Sequence, residues 1–360
     1  MGNVPNLRFP EFTGEWKKAS LQDIATVNPK SVSLQDSFVY IDLEAVEKGE
    51  LKKIQEIIRK DAPSRAQRVI YKNDILFQCV RPYQRNNYIH KIQDKSNKQW
   101  VASTGYAQIR TTETQNYIYH LLNTDGFNRK VMVRCTGSSY PAINSEDLAT
   151  IRFYLATDTS EQLKISRLFD LLDERIATQN KIIEKLESLI KGIADKLFQT
   201  ARETKLLLEL APNITSGTDK NGSGTIPLYG STGIIGKVKN ASQKGNIVLV
   251  ARVGTIGTVQ YVKESCGVSD NALIVEAGEM TKYIYHFLKT YKFAHITSGT
   301  TQPLITASSL KKIAVPTYDI ERQTQIVLCL NILERKLDIE KQYLSDIAMM
   351  KQYLLHQMFI

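Results

Sequence analysis

A short stretch in the first half of the chain interleaves cationic and aromatic side chains. The segment CVRPYQRNNYIHK (79–91) begins where an apolar run, YKNDILFQCV (71–80), reads as a buried strand behind a turn. The fork of donors on an arginine fits a phosphate or the acceptor pair of guanine, and tyrosine adds a stacking face. We predict that the residues contacting DNA here are Arg81, Tyr83, Arg85, Tyr88 and Lys91. A solvated loop at the end of a strand is the alternative interpretation.

The second half of the chain has a comparable set of polar residues after its own apolar run. KGNIVLVARV (244–253) reads as a buried strand. Arg252 and Thr255 lie in ARVGTIGT at its end, among glycines that allow the backbone to approach a ligand closely. Lys237 and Lys239 lie upstream, within reach of phosphates. We predict DNA contacts for these four residues, again with a surface loop as the alternative.

One short pattern occurs in both halves. CTGSSYPAIN (135–144) and TSGTTQPLIT (297–306) share a glycine, two small hydroxyl residues, a variable position and a proline. Glycine permits a tight turn, and hydroxyls with exposed amides can hold a phosphate. The predicted DNA contacts are Ser138, Ser139 and Tyr140 in the first copy, and Thr300, Thr301 and Gln302 in the second. A turn that only packs the root of the following helix fits the pattern equally well.

No constellation typical of catalysis or metal binding stands out. The chain lacks a G-x-x-x-x-G-K-[ST] phosphate loop, and Gly230, Gly233 and Gly236 have the wrong spacing for a dinucleotide fingerprint. The five histidines have no metal-ligand spacing, and His120 and His286 occupy matching apolar segments, where we expect a packing role. Inspection alone does not exclude a nuclease cluster among the common acidic residues and lysines. We predict no catalytic residue, no metal site and no cofactor in this chain.

Cysteine usage and the terminal sequence indicate a compartment. The four cysteines lie far apart without a CxxC pair, which argues against a disulfide framework and favours a reducing cytoplasm. Residues 1–12 lack the apolar region of a signal peptide, and no apolar run approaches the ~20 residues of a membrane span. We expect a cytoplasmic protein that does not associate with a membrane.

The charge balance favours a polyanionic partner. The 360 residues include 47 Lys and Arg against 37 Asp and Glu, which gives a net charge of +10. Such a balance suits nucleic acid, although many basic proteins bind none. With 42% hydrophobic residues, the chain can also form packed cores.

The residues that could bind DNA are positioned by two copies of one unit. Gly137 and Gly299 are 162 residues apart, and YIYHLL (117–122) returns as YIYHFL (283–288). The order of features is the same in both halves. The sequence therefore predicts an internal repeat, in which a globular part of mixed α/β structure precedes a long helix.

The two helices carry apolar residues at steps of three and four, which is typical of a coiled-coil seam. The predicted seams are Ile165, Leu168, Leu172, Arg175, Gln179, Ile182, Leu186, Leu189 and Ile193, and Ile326, Cys329, Leu333, Lys336, Glu340, Tyr343, Ile347, Met350 and Leu354. A second row at steps of seven contains Ile176, Ile183, Ile190 and Leu197, with Leu337, Leu344, Lys351 and Met358 in the other helix. We expect antiparallel helices of about 60 Å that pair within the chain. Packing of each helix on its own domain is the alternative.

The predicted architecture is mixed α/β, with two globular domains joined by two long antiparallel coiled-coil helices. The expected boundaries are 1–157 for the first recognition domain, 158–200 for the central helix, 201–318 for the second recognition domain and 319–360 for the C-terminal helix.

Several segments resemble the specificity subunits of Type I restriction–modification systems. They are the lead-in NVPNLRFPEFTGEWKKASLQDIA (3–25), GTIPLYGSTGIIG, ARVGTIG, the repeated G(S/T)(S/T)xP and the long helices, which together cover almost the whole chain. The second copy lacks the LRFPEF…W lead-in, so its domain is expected to be a trimmed version.

The resemblance implies a subunit that is not an enzyme. Its two recognition domains would read the halves of a split sequence in double-stranded DNA, with the helices as a ruler. Implied partners are two modification subunits, which carry S-adenosylmethionine and methylate adenine, and restriction subunits, which add ATP- and Mg-dependent translocation and cleavage. Two other functions remain open: a standalone nuclease or methyltransferase, and a coiled-coil interaction protein that binds DNA without sequence preference.

Overall fold

The chain divides into two units, Met1–Gln179 with Tyr343–Ile360, and Asn180–Gln342. The computed structural model describes residues 3–92, 98–298 and 303–360. Each unit contains one globular part and a segment of each of two long helices.

The first unit has two main sheets. Its strands are β1 (Lys17–Ser20), β2 (Ala25–Val27), β3 (Ser37–Ile41), β4 (Val46–Glu47), β5 (Glu50–Leu51), β6 (Gln55–Ile58), β7 (Ala66–Ile70), β8 (Ile75–Gln78), β9 (Tyr88–Ile89), β10 (Gln99–Ser103), β11 (Tyr106–Thr111) and β12 (Arg152–Leu155). Its helices are α1 (Leu21–Ile24), α2 (Gln115–Leu122), α3 (Asp125–Val133) and α4 (Ser145–Ala149), with 3₁₀ turns at Arg59–Asp61 and Pro82–Gln84; α5 (Thr159–Gln199) begins here. One sheet has the order β6-β3-β10-β7, the other β2-β11-β8-β9.

Two features of the first unit organise the globular part that carries the loop after β8: the burial of β8 and the pairing of β1 with β12. All four residues of β8 are buried, which confirms the strand predicted from the continuous apolar run at 71–80. β1 pairs antiparallel with β12, so the beginning of the globular part is tied to the segment that precedes α5.

The second unit repeats this plan in a shorter form. Its strands are β13 (Glu203–Leu206), β14 (Asn213–Ser216), β15 (Ile226–Gly230), β16 (Gly233–Val238), β17 (Ile247–Ala251), β18 (Val259–Val262), β19 (Gly267–Val268), β20 (Ala272–Glu276) and β21 (Ala314–Thr317). Its helices are α6 (Leu207–Leu210), α7 (Thr281–Thr290) and α8 (Ala307–Lys311), with 3₁₀ turns at Gly278–Met280 and Phe293–Ile296; α9 (Ile320–Met358) begins here. The sheet orders are β14-β20-β17-β18 and β16-β15-β19, and the β13–β21 pair corresponds to β1–β12.

The long helices α5 and α9 pack antiparallel. In the first unit, Phe359, the residue that follows α9, lies 5.9 Å, ring to ring, from Phe169 near the beginning of α5. In the second unit, Phe198 near the end of α5 shares a core with Ile326 and Leu330 near the beginning of α9. The predicted fold class, mixed α/β with two long antiparallel coiled-coil helices, is confirmed.

The seam of these helices differs from the one predicted. Ile182 and Leu189 are 42% and 54% exposed, and Cys329, Tyr343 and Met350 are also exposed. One set of buried and half-buried residues still recurs at steps of four and three, and its members combine the two predicted rows with Phe169 and Leu330, which neither row contained. They are Ile165, Phe169, Leu172, Ile176, Gln179, Ile183, Leu186, Ile190, Ile193 and Leu197, and Ile326, Leu330, Leu333, Leu337, Glu340, Leu344, Ile347, Lys351, Leu354 and Met358. Apolar residues at adjacent positions allow two heptad frames, and only packing selects one of them.

Candidate nucleic-acid interface

The loop between β8 and β9 has a strained backbone. Arg81 and Arg85 flank the 3₁₀ turn Pro82–Gln84, and both are left-handed with φ of 54°. For residues other than glycine this conformation costs about 1–2 kcal/mol, because Cβ crowds the following carbonyl oxygen. The contacts around this loop therefore hold it in one conformation.

The loop lies beside the first copy of the repeated motif. The backbone N–H of Arg81 donates to the carbonyl of Pro141 at 2.8 Å. The Arg81 guanidinium stacks on the Tyr140 ring, 4.3 Å from its centroid. Also exposed are Tyr83, Ser138 and Ser139. The structure thus brings residues predicted from two separate segments onto one surface.

Two of the predicted cations are held in ion pairs. Arg85 lies 2.6 Å from a carboxylate oxygen of Asp125, the first residue of α3. The Lys91 ammonium lies 3.7 Å from Asp170. Contact of either cation with a phosphate would therefore require it to exchange one anionic partner for another.

Tyr88 belongs to the core. Only 7% of Tyr88 is exposed, and it packs in a cluster with Leu76 and Trp100. Burial raises the pKa of its hydroxyl to about 12. The prediction of a DNA contact for Tyr88 is wrong for this structure, because residues 88–89 form β9, the edge strand that pairs with β8, and the Tyr88 side chain is buried in this cluster.

A cavity of 680 Å³ opens beside the loop. Arg81 and Tyr140 line it together with residues that the sequence did not single out: Leu43, Glu44, Val46, Glu47, Arg65, Gln78, Val80, Gln84 and Asn86. Gln84 and Asn86 lie within the predicted DNA-contacting segment 79–91, so their amide side chains could have been included in the prediction from the sequence. Arg65 and the two glutamates come from distant segments, and only the fold brings them here.

The side-chain amide of Gln78 fastens the loop. Gln78 is 2% exposed, its Oε1 accepts from the backbone N–H of Asn86 at 3.0 Å, and its Nε2 donates to Gln84 Oε1 at 2.9 Å. Its own backbone N–H donates to Asn87 Oδ1 at 2.8 Å. These bonds explain how the strained loop keeps its shape.

In the second unit, Arg252 directly follows β17, as Cys79 directly follows β8 in the first unit. Arg252 Nη1 donates to Ser216 Oγ at 2.8 Å, and its buried Nε finds no acceptor among the described residues. The N–H of Ile305 donates to the Arg252 carbonyl at 3.0 Å, as that of Ile143 does to Cys79 in the first unit. The end of each motif copy therefore lies beside the end of a buried strand. The predicted contacts Thr300, Thr301 and Gln302 lie outside the described residues.

The other predicted residues of the second unit do not all come together. The Thr255 hydroxyl donates to the carbonyl of Ser231, in the turn between β15 and β16, at 3.3 Å. Lys237 is exposed toward the far end of β16, about 13 Å along the strand from Gly233, and Lys239 is exposed beyond it. The two lysines therefore form a separate part of the surface.

Two buried histidines attach the globular parts to the long helices. His120 Nε2 lies 2.9 Å from Asp170 Oδ1, and His286 Nε2 lies 3.0 Å from Asn331 Oδ1. Burial lowers the pKa of both imidazoles. Asp170 and Asn331 are 161 residues apart, so the contact is repeated in the two copies. The predicted packing role of both histidines is confirmed.

The part of the chain that the structure describes contains neither a cluster of metal ligands nor a membrane-spanning helix. No group of three or more His, Cys, Asp or Glu side chains there is arranged to hold a metal ion. Likewise, no described helix combines the length and apolar character needed to cross a bilayer.

Comparison with known families gives two matches. The Type I restriction modification DNA specificity domain matches residues 13–188 and again residues 207–349, which together make up most of the chain.

Curated relatives match over shorter segments. The chain is 26% identical over 117 residues to a putative type I restriction enzyme specificity subunit of Haemophilus influenzae, covering 31% of this chain and 30% of the relative. It is 27% identical over 128 residues to the EcoprrI specificity subunit of Escherichia coli, covering 35% and 31%. The match thus spans about a third of the length of each relative.

Solved structures match over nearly the whole chain. A Type-I restriction-modification S subunit from M. genitalium superimposes with a TM-score of 0.66 at 16% identity, covering 99% of both chains. A chain from a structure described as the basis of complex assembly and conformational transition of the type I R-M system gives 0.60 at 19% identity, covering 94% of this chain and 96% of the other. At these identities the likeness establishes the fold.

Proposed function

The chain belongs to the family of Type I restriction modification DNA specificity domains, and on that premise we propose that it is a non-catalytic subunit that reads a two-part target in double-stranded DNA. Each unit reads one half of the target. The observation that carries the proposal is that, in both units, the backbone of an arginine that follows a buried strand is hydrogen-bonded to a copy of the repeated motif: Arg81 to Pro141, and Arg252 to Ile305. Base-edge contacts provide specificity, and cations on phosphates provide salt-dependent affinity.

The proposed contacts are the predicted residues of both units except Tyr88, which is buried. They are Arg81, Tyr83, Arg85, Lys91, Ser138, Ser139 and Tyr140 in the first, and Lys237, Lys239, Arg252, Thr255, Thr300, Thr301 and Gln302 in the second.

The long helices act as a ruler in this proposal. α5 and α9 have 41 and 39 residues, and at 1.5 Å per residue each is about 60 Å long. A stiff antiparallel pair of that length fixes the separation of the two half-sites on the duplex.

Two grooves at repeat-related positions support two modification subunits as partners. In the first unit, Ala348 and Leu355 line a groove of 630 Å³ beside α9. This groove is also lined by Gln84 and Arg85 of the loop between β8 and β9, so a partner there would lie next to the proposed DNA contacts. In the second unit, Glu187 and Ala194, which precede them by 161 residues, line a groove of 320 Å³ beside α5. Two copies of one partner suit two related grooves. Native mass spectrometry of the co-expressed subunits should show two modification subunits per chain; a single one would contradict this assignment.

The chemistry of modification and cleavage resides on the partners in this proposal. S-adenosylmethionine belongs to the modification subunits, and ATP and Mg belong to the restriction subunits. The residues of this chain bind and orient the duplex.

Mapping methylated adenines in the host genome tests the proposal. We expect a two-part methylated sequence that disappears when this chain is deleted and returns when it is restored. The proposal fails if the purified chain alone methylates or cleaves DNA, or if it binds all sequences equally at every salt concentration.

A further inference from the structure

The orientation of the Gln84 amide follows from the backbone. The backbone N–H of Asn86 is a donor only, so the Gln78 atom that faces it at 3.0 Å is the oxygen, Oε1. The other end of the Gln78 amide is then the NH₂ group, which must donate. The Gln84 atom at 2.9 Å from it is therefore also an oxygen. One backbone amide thus fixes both glutamine side chains, without the usual ambiguity of amide flips.

This arrangement leaves the NH₂ group of Gln84 available. Gln84 is exposed and lines the 680 Å³ cavity with Arg81 and Tyr140. Its Nε2 forms no hydrogen bond within the part of the chain that the structure describes. Gln78 is buried, so it holds its neighbour in this orientation. Gln84 consequently offers two amide hydrogens of fixed direction on the predicted reading surface.

We propose that Gln84 determines specificity at one position of the half-site read by the first unit, with Gln78 as its positioning residue; this rests on the proposed function. In the major groove, guanine N7 and O6, adenine N7 and thymine O4 accept hydrogen bonds, whereas cytosine presents the N4 amino donor. An outward NH₂ group therefore selects a base with an acceptor and rejects cytosine.

Two isosteric substitutions change the outward-facing group at residue 84 from a hydrogen-bond donor to an acceptor. Gln84→Glu keeps an oxygen for the Gln78 NH₂ group and replaces the outward donor with an acceptor. Gln78→Glu still accepts from Asn86, but its second oxygen now requires a donor, so the Gln84 amide turns and presents its oxygen. Both variants should shift the preference at the same position away from guanine and thymine and toward cytosine or adenine, whose N4 and N6 amino groups donate, by roughly tenfold.

The test is selection of a randomised duplex library by the full-length chain, followed by sequencing and by titration against the best sequences. Gln55→Glu is the matched control, because Gln55 is an exposed glutamine of the same unit outside the loop. Wild type and Gln55→Glu should select one shared sequence, and the two loop variants should differ from it at a single position.

Two results contradict different claims. Loop variants that fold, as judged by thermal unfolding, and keep the wild-type sequence at every position overturn the role of Gln84. A uniform loss of affinity without a changed base also overturns it, since that would show only that the amide pair holds the loop. A wild-type chain that selects no sequence at all would instead contradict the proposed function.

Discussion

At the scale of single residues, the candidate interface is held together by the stacking of the Arg81 guanidinium on the Tyr140 ring. Arg81 and Tyr140 were selected by residue type, but their stacking could not be foreseen, because it joins segments that only the fold brings together. Tyr88 was misassigned since a strand of two residues leaves almost no alternation to detect. The sequence did not indicate a role for Gln78, because that role depends on the hydrogen bonds of a buried side chain, and burial is determined by the tertiary structure.

Arg81→Lys separates base reading from phosphate binding. Lysine keeps the charge but loses the planar fork, so discrimination at one base should weaken by about 1–3 kcal/mol while the dependence of affinity on salt stays unchanged. Binding of the full chain to matched and single-mismatch duplexes at several salt concentrations measures both quantities. Unchanged discrimination would assign Arg81 to the phosphate backbone.

His90 makes the first unit sensitive to acid. His90 is 2% exposed, and its ring lies 4.9 Å from that of Trp100. Burial lowers its pKa to about 4, although Asp74 opposes the shift. An unfolded histidine has a pKa of about 6.5, so the unfolded chain takes up the proton first. The stability that His90 contributes is complete above that pH and declines as the pH falls toward 4.

From pH 7 to pH 5 we therefore expect the free energy of unfolding to fall by about 2 kcal/mol on account of His90. His90→Phe should reduce the dependence without abolishing it, because burial lowers the pKa of His120 in the same unit. Tryptophan fluorescence in urea is a suitable measurement, since Trp16 and Trp100 both lie in the first unit. His356→Gln, at an exposed position of α9, is the control. Full acid sensitivity in His90→Phe would refute the assignment.

At the scale of elements, periodicity predicted the helices well and their packing face less well. The buried strands β8 and β17 and both long helices follow from apolar patterns. The heptad frame of the contact between α5 and α9 does not follow from these patterns. Two apolar rows run along each helix, and the sequence does not determine which row packs against the other helix.

Adjacent isoleucines test the observed frame directly. Ile183 is 7% exposed and Ile182 is 42% exposed. Ile183→Ala should lower the free energy of unfolding by about 2–4 kcal/mol, because it leaves a cavity in the seam, and Ile182→Ala by less than about 1 kcal/mol. Thermal and urea unfolding of the two variants, which make the same chemical change one residue apart, provide the comparison. The opposite order would restore the frame predicted from the sequence.

At the scale of the whole molecule, the internal repeat was the most informative feature of the sequence. The offset between the copies predicted that residues at matching positions have the same role. The His120–Asp170 and His286–Asn331 contacts agree with this prediction, because both attach a globular part to a long helix. The same offset relates the two grooves proposed for the modification subunits. Such correspondences need no similarity to another protein, because each copy serves as the comparison for the other.

The proposed ruler predicts a change of target when the helices are lengthened. One heptad inserted between Gln179 and Asn180, and another between Gln342 and Tyr343, extends α5 and α9 where the two units divide. Seven residues preserve the phase of the seam and add about 10.5 Å, the rise of about three base pairs. The two half-sites should then be methylated unchanged but with a spacer longer by about that number.

A heptad in α5 alone is the control for this experiment. This single insertion shifts α5 against α9 by seven residues, so the two helices no longer lengthen together. Methylation of both the original and the lengthened target should therefore fall. Mapping of methylated adenines in strains carrying each version measures the outcome. If the doubly extended chain supports methylation with the original spacer, the helices do not set the distance, because a rigid pair cannot gain about 10.5 Å and keep its half-sites in place.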